Sequence, residues 1–366
     1  MSRIDELLAQ FAPLGVPRKL LGDLVRNLDS QRRPVTRSDR SEGHYPYYGA
    51  NGIQDYVEDY IFDGTFLLMG EDGSVMERDR SPILNWASGK IWVNNHAHIL
   101  ETKSKELELR FLFHFLRTVD ISSYVTGGTQ LKLNQGSMNR IPVPVPPLEV
   151  QREIVRILDN FTELEAELEA ELEARRQQYS FYRNLLLGFP NDDVEWVALG
   201  QVVQIKNGKD YKHLATGTVP VYGSGGVMTH VAGIAFNGES VLIPRKGSIG
   251  NLFYVNGPFW TVDTIFWTEA DRNSVRPRYL YHYLKTQDLT KLNNAGGVPS
   301  LTQAILNPIS IPLPSLVEQD RLVFVLDRFD ALVNDLSIGL PAELAARRKQ
   351  YEYYRDRLLT FEEVPA

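Results

Sequence analysis

The chain has 366 residues, 43% of them hydrophobic, with no cysteine and a formal net charge of −7. These values exclude an intrinsically disordered chain, a disulfide framework and a thiolate zinc site, and leave room for two or three domains. No stretch approaches the roughly 20 apolar residues of a membrane-crossing helix. The opening MSRIDELLAQF carries acidic residues where a secretory signal needs a basic flank, so the expectation is a cytoplasmic protein with no membrane partner.

In chain order, residues 1–15 read as a short helix and residues 16–143 as a first domain. Within it HYPYYGANGI (44–53), FDGTFLLMGEDGSV (62–75) and WVNNHAHIL (92–100) read as strands around glycine turns, and LELRFLFHFLRT (107–118) as a helix before the glycine pair of TGGTQLKLN (126–134). Residues 144–189 read as a long helix. Residues 190–311 then repeat the first pattern, with TVPVYGSGGV (218–227), FNGESVLIPRKGSI (236–249), WTVDTIFWT (260–268), RPRYLYHYLKTQ (276–287) and AGGVPSLTQ (295–303). A second long helix occupies 312–361, and 362–366 form a tail.

The helices carry the clearest part of the repeat. IPVPVPPLEVQREIVRILDNF (141–161) returns as ISIPLPSLVEQDRLVFVLDRF (309–329), keeping Pro146/Pro314, Leu148/Leu316, Gln151/Gln319, Leu158/Leu326, Asp159/Asp327 and Phe161/Phe329. ARRQQYSFYRNLLL (174–187) returns as ARRKQYEYYRDRLL (346–359). Between these blocks the second copy holds four extra residues around Gly339 and Pro341, both poor in a helix interior, so a kink or break is expected there and none in the first copy. Apolar or aromatic residues from Leu158 to Leu186, at spacings of three or four with one longer step at Arg175, call for a partner helix, and the comparable stripe from Leu326 to Leu358 makes each copy the natural partner of the other. The fold expected is α+β: two similar α/β domains separated by two long antiparallel helices in a coiled coil, with a pseudo-two-fold internal repeat. A helix of about 40 residues is on the order of 60 Å long.

This arrangement resembles the specificity, or DNA-recognition, subunit of type I restriction-modification systems, with Pro-led helix entrances (IPVPVPPLEVQ and IPLPSLVEQ) and aromatic-basic helix ends. Ser315 replaces the second proline in the second copy. The resemblance implies two target-recognition domains that each read one half of a bipartite double-stranded DNA target, with the coiled coil setting the gap. It implies no cofactor on this chain and no catalysis by it. Its partners would be two methyltransferase subunits binding S-adenosylmethionine, which methylate adenine, and restriction subunits using ATP and Mg. A coiled-coil scaffold, or a solitary recognition subunit recruiting a different effector, is the rival reading.

The residues themselves fit a DNA reader once charge is located. Residues 17–140 hold 16 Lys and Arg against 16 Asp and Glu, and 194–308 hold 10 against 7, which leaves 13 against 23 for the rest. The acidic excess sits in the helices, six glutamates of it in ELEAELEAELEARR (163–176), where a solvated helix face explains it. Removing one LEAE unit should shorten the helix by about 6 Å. SQRRPVTRSDR (30–40) gathers Arg32, Arg33, Arg37 and Arg40, and KNGKDYKH (206–213) gathers Lys206, Lys209 and Lys212 in the matching place. Gln130, Lys132, Arg245, Lys246 and Gln303 stand beside glycine turns. Such residues contact bases or phosphates, or are plain surface charge; sequence does not sort these. Tyr48 and Tyr222, before matching glycines, read as core.

His96 and His98 in HAH would share a face of a strand, but no carboxylate cluster or cysteine accompanies them and the second copy has none, so no metal is expected. There is no GxGxxG, GxxxxGK[ST], [DNS]PP[YFW] or HExxH motif. The helix ends Arg175, Arg176, Arg183 and Arg347, Arg348, Arg355, with their tyrosines, have two readings: closure of the coiled coil, or docking of two identical partners.

Overall fold

The computed structural model describes residues 3–103, 105–189, 194–292 and 300–364. The chain divides into two compact units that do not follow chain order. The first comprises 1–167 and 345–366, the second 168–344. Each unit therefore holds one α/β domain, the start of the helix that leaves it, and the end of the other long helix.

In the first unit a helix at Arg3–Phe11 (α1) precedes six strands: β1 (Val25–Asn27), β2 (Glu42–Gly49), β3 (Gly52–Val57), β4 (Phe62–Gly70), β5 (Leu84–Val93) and β6 (Ala97–Thr102). They form one sheet in the order β1-β6-β4-β5-β2-β3. Helix α2 (Leu109–Leu116) follows, and then α3 (Leu148–Leu186). The second unit repeats this with β7 (Val203–Asn207), β8 (Thr216–Gly223), β9 (Gly226–Val231), β10 (Phe236–Pro244), β11 (Phe253–Thr261), β12 (Ile265–Ala270) and α4 (Pro277–Leu284). Its sheet order, β7-β12-β10-β11-β8-β9, is the same. In each sheet the hairpin joins the rest through a parallel pair, Tyr47 opposite Trp92 and Val221 opposite Trp260. Both hairpins turn at a glycine with positive φ, Gly52 at 102° and Gly226 at 112°, a conformation that L side chains resist.

One face of each sheet packs on helices. In the first unit Leu67, Met69 and Leu100 meet Phe111 and Leu112 of α2 and Ile154 and Leu158 of α3. In the second, Val241, Ile243 and Phe266 meet Tyr279 and Leu280 of α4 and Leu322 and Leu326 of the next helix, α5 (Leu316–Asn334). The residues that repeat between helix entrances are the ones that make this joint. Gln151 is fully buried; its Oε1 accepts the Glu108 N–H (2.8 Å), and its Nε2 donates to the carbonyls of Glu106 and Pro146 (2.7 Å each). Gln319 does the same with Arg276 (2.8 Å), Ser274 (3.0 Å) and Pro314 (2.9 Å). One helical face further on, Asp159 accepts from Arg110 (2.8 Å) and His114 (2.7 Å), and Asp327 from Arg278 and His282 (2.7 Å each). Ser315 is also explained: it caps α5, its Oγ accepting the Glu318 N–H at 3.2 Å, which a proline there could not do.

The first long helix runs 39 residues without interruption, whereas the second breaks. Helix α5 stops at Asn334, Asp335 accepts the N–H groups of Ser337 and Ile338, and Gly339 at φ 82° leads into α6 (Leu340–Leu358) with Pro341 in its first turn. The repeated phenylalanines close each unit against the other copy's tyrosines. Phe161 packs between Tyr351 (6.3 Å) and Tyr354 (5.6 Å), while Arg348 pairs with Glu165 at 2.6 Å, so α3 and α6 run antiparallel here. Phe329 packs between Tyr179 (6.4 Å) and Tyr182 (6.0 Å).

His114 and His282 lie at 0% exposure inside these joints. Burial, only partly offset by Asp159, pushes the His114 pKa down from 6.5 to about 4, and burial lowers His282 as well. Each ring is therefore neutral and donates Nε2–H to its aspartate; Nδ1 of His282 accepts from the Tyr179 hydroxyl at 3.3 Å. An unfolded chain takes up these protons near pH 6.5 while the folded one does not, so stability is lost as pH falls from about 6.5 toward 4. For His114 alone the loss is on the order of 3 kcal/mol. Urea unfolding at pH 7.5 and 4.5 should show a shallower pH dependence for His114→Gln, which keeps a donor for Asp159 but cannot titrate. An unchanged dependence would contradict this assignment.

Candidate nucleic-acid interface

The basic loop of the first domain leaves β1 and is held to the sheet at several points. The Trp92 indole N–H donates to the Arg33 carbonyl at 2.6 Å, and the Tyr47 hydroxyl accepts the Val35 N–H at 3.1 Å. Tyr47 itself is buried and stacks on Trp92 at 6.5 Å. Of the four arginines, two are committed internally. Arg32 is nearly buried, bonding Glu71 at 2.5 Å and the Ala97 carbonyl at 2.8 Å, with Asp29 at 3.6 Å. Arg40 lies 4.1 Å over the Tyr47 ring and reaches Asp55 at 3.3 Å. Arg33 and Arg37 are exposed, with no hydrogen-bond partner for their side chains among the described residues.

Glu71 ties this loop to a second one. It lies 3.6 Å from Lys132 Nζ, and its carbonyl accepts the Leu133 N–H at 2.8 Å. His98 completes the cluster: Nδ1 meets Asp29 at 2.5 Å and Nε2 the Leu133 carbonyl at 2.8 Å. Burial works against the Asp29 carboxylate, yet the bonds and charge of His98, with Asn27 and Ile99, hold its pKa below the ordinary 3.8. Gln130 is exposed in the same 126–132 turn, two positions before Lys132. The loops that hold Arg33, Arg37, Gln130 and Lys132 are thus gathered on one largely buried ionic cluster.

The histidine expectations need correction. His96 precedes β6 and is exposed, bonded to Asp72, whereas His98 lies within the strand and is buried, so the two do not share a face. Carboxylates do accompany His98: Asp29 and Glu71 bring ligand atoms within 4.8 Å of one another and of it. They come from 69 and 27 positions away, which local spacing does not show. The guanidinium of Arg32 already lies against both carboxylates and supplies the positive charge that a metal ion would bring.

In the second domain the corresponding loop is fastened in the same way, with the Trp260 indole N–H donating to the Lys209 carbonyl at 2.9 Å. Lys209 and Lys212 are exposed; Lys206 is half-buried, its Nζ donating to Gln204 at 2.7 Å. Strand register makes Met69 opposite His98 equivalent to Ile243 opposite Phe266, and hence Glu71 to Arg245. Where the first domain has an ionic cluster, the second has the Arg245 guanidinium 5.1 Å over Phe266, with Nε buried and without a hydrogen-bond partner among the described residues. Lys246 is exposed beside it. Gln303 is a strut: at the start of a short helix, its Nε2 donates to the Ile205 carbonyl at 3.0 Å, holding β7 in place. The glycine pair Gly296 and Gly297 lies outside the described residues. Tyr48 is buried and Tyr222 half-buried against Phe253, both packed as expected.

The tyrosines Tyr179 and Tyr351 at the helix ends are buried in the aromatic closures, while the nearby cations face several ways. Arg175 bonds Glu171 and Gln178, Arg176 is exposed, and Arg183 lies 5.4 Å over Tyr179. Arg347 bonds Gln350, Arg348 pairs with Glu165, and Arg355 pairs with Asp356 while lying 5.9 Å over Tyr351. At matching positions Phe181 (64%) and Tyr353 (60%) are exposed, which sequence patterning alone did not single out.

Removing Arg32 would leave two half-buried carboxylates short of a counter-charge. Arg32→Ala is expected to cost on the order of 3 kcal/mol in urea unfolding, and Arg33→Ala less than about 0.5 kcal/mol. Equal stability of the two variants would mean that Arg32 is not the keystone of the cluster.

Comparison with known proteins converges on one family. The family model described as "Type I restriction modification DNA specificity domain" matches twice, over residues 16–174 and 191–346. A Haemophilus influenzae protein bearing the name of a type I restriction enzyme specificity subunit is 36% identical, over 94% of this chain and 95% of its own. The Escherichia coli EcoR124I/EcoR124II specificity subunit is 31% identical, over 69% and 71%. In fold, the chain is similar to the crystal structure of the S subunit of a type I system from M. genitalium, with a TM-score of 0.63 at 18% identity, covering 94% and 96% of the two chains. A chain from a structure of type I restriction-modification complex assembly gives a TM-score of 0.56 at 18% identity, covering 95% and 98%. With both of its domains matched and its repeated helix joints accounted for, this chain belongs to the specificity subunits of type I restriction-modification systems, a non-catalytic family with two target-recognition domains.

Proposed function

We propose that each domain reads one short half of a bipartite DNA target, the first through the loops carrying Arg33, Arg37, Gln130 and Lys132, the second through Lys206, Lys209, Lys212, Arg245 and Lys246. The observation that carries this is the contrast within the repeat. The sheet order, indole fastenings and helix joints recur, while the loops they hold differ in sequence and charge. Two unlike loops on two like frames suit an asymmetric target read by hydrogen bonds and charge in the grooves. Arg32 and Gln303 act behind these loops as supports.

The paired helices set the unread gap in this proposal, and their acidic faces keep DNA on the domains. Two methyltransferase subunits, each binding S-adenosylmethionine, dock at the repeated helix ends, with Phe181 and Tyr182 forming one surface and Tyr353 and Tyr354 its equivalent. Restriction subunits using ATP and Mg complete the assembly, in the cytoplasm. Apart from recognition, this chain contributes no chemistry.

Modified-base sequencing of DNA from a host expressing this chain with its methyltransferase, against a host lacking this chain, should reveal a two-part methylated motif with a gap of about five to eight base pairs. Absence of new methylation despite a stable complex would favour a scaffold that recruits a different effector. Phe181→Ser combined with Tyr353→Ser should weaken co-purification of the methyltransferase at least roughly tenfold, as loss of an aromatic anchor does, and leave DNA binding by the isolated subunit unchanged. Undiminished co-purification would remove the docking role.

A further inference from the structure

We propose that Trp92 and Trp260 are positioning residues for sequence recognition, each aiming the variable loop of its own domain through a single indole N–H. This rests on the assignment of those loops to half-site reading. The two tryptophans hold the same place in the sheet, in β5 and β11, opposite Tyr47 and Val221 of the parallel-paired hairpin strands. Nε1 of Trp92 donates to the Arg33 carbonyl (2.6 Å) and Nε1 of Trp260 to the Lys209 carbonyl (2.9 Å).

The loops so fastened share neither sequence nor length. Arg33 lies eight residues beyond Val25, the first residue of β1, and Lys209 six beyond Val203, the first of β7. The same donor nevertheless captures a carbonyl in both. A bond to a backbone carbonyl is indifferent to the side chain, so the loop can change its residues while its attachment stays fixed. In both domains the captured carbonyl belongs to a residue whose own side chain is an exposed cation, Arg33 or Lys209. Fixing that peptide fixes the direction in which the cation leaves the sheet.

The surroundings fasten the same stretch in domain-specific ways. In the first domain the Tyr47 hydroxyl accepts the Val35 N–H (3.1 Å). In the second the Lys209 N–H donates to the Thr261 carbonyl (2.8 Å), and Gly208 comes so close to the Val262 carbonyl that a Cβ would sit 2.0 Å from it. Among the described residues, only the indole bond is common to both.

The test uses the full chain with its methyltransferase partner and compares methylation of the cognate site with sites altered in one half. Trp92→Phe and Trp260→Phe keep a packed ring and lose the donor. Each should lower discrimination roughly three- to tenfold, the worth of one hydrogen bond, and only in one half of the target, a different half for each variant. Replacing each tryptophan with benzothienylalanine, which matches the indole in shape but lacks the N–H, should give the same result and covers the case in which phenylalanine unfolds the domain. Wild-type discrimination in both halves for all four variants would overturn the proposal, as would equal loosening of both halves by each one. If the wild-type complex itself shows no sequence preference, the half-site reading fails, and this inference with it.

Discussion

A buried amide, repeated, joins each domain to its helix. Gln151 and Gln319 each spend all three side-chain hydrogen bonds on backbone groups, two of them at the entrance of the domain's own α-helix and one at the proline that starts the long helix. A glutamine at 0% exposure is tolerable only when fully satisfied, and here every bond lands on main chain, so the joint does not depend on neighbouring side chains. Asp159 and Asp327 add a second attachment along the same helix through an arginine and a neutral histidine. The long helices thereby inherit their direction from the domains. Without these joints the aromatic closures around Phe161 and Phe329 would have no fixed geometry.

The two units use this common frame with different local chemistry. At one equivalent position the first domain places Glu71, neutralised by Arg32 and linked to Asp29 and His98, and the second places Arg245 over Phe266. One arrangement gathers opposite charges behind the loops, while the other presents a cation on an apolar ring. The equivalence is carried by strand register and not by residue type, as expected of a scaffold that holds its backbone fixed while loop content varies.

Much of the frame was legible in the sequence because it rests on local rules. The helix break at Gly339 and Pro341, the glycine hairpins at Gly52 and Gly226 and the burial of Tyr48 all follow from backbone preference and alternation. The repeated Gln and Asp were visible as identities, although nothing in the spacing said what they bond. The candidate site was read less well. Arg32 and Gln303 look like free surface groups, but their partners lie 39 and 98 positions away, and only the folded sheet brings them together. His96 and His98 look like a facing pair until the strand is seen to begin between them. Trp92 and Trp260 carried a usable signal, standing at the same place in WVNNHAHIL and WTVDTIFWT beside otherwise divergent residues.

Independent reading of each half of the target by its own domain, from a frame fixed by the helix joints, is what the duplicated architecture provides. Its most direct test replaces residues 16–143 with the corresponding domain of another family member, keeping Gln151, Asp159 and everything after them, and determines the methylated motif by modified-base sequencing. One half of the motif should change while the other half is retained. A motif altered in both halves, or left unchanged in both, would contradict it.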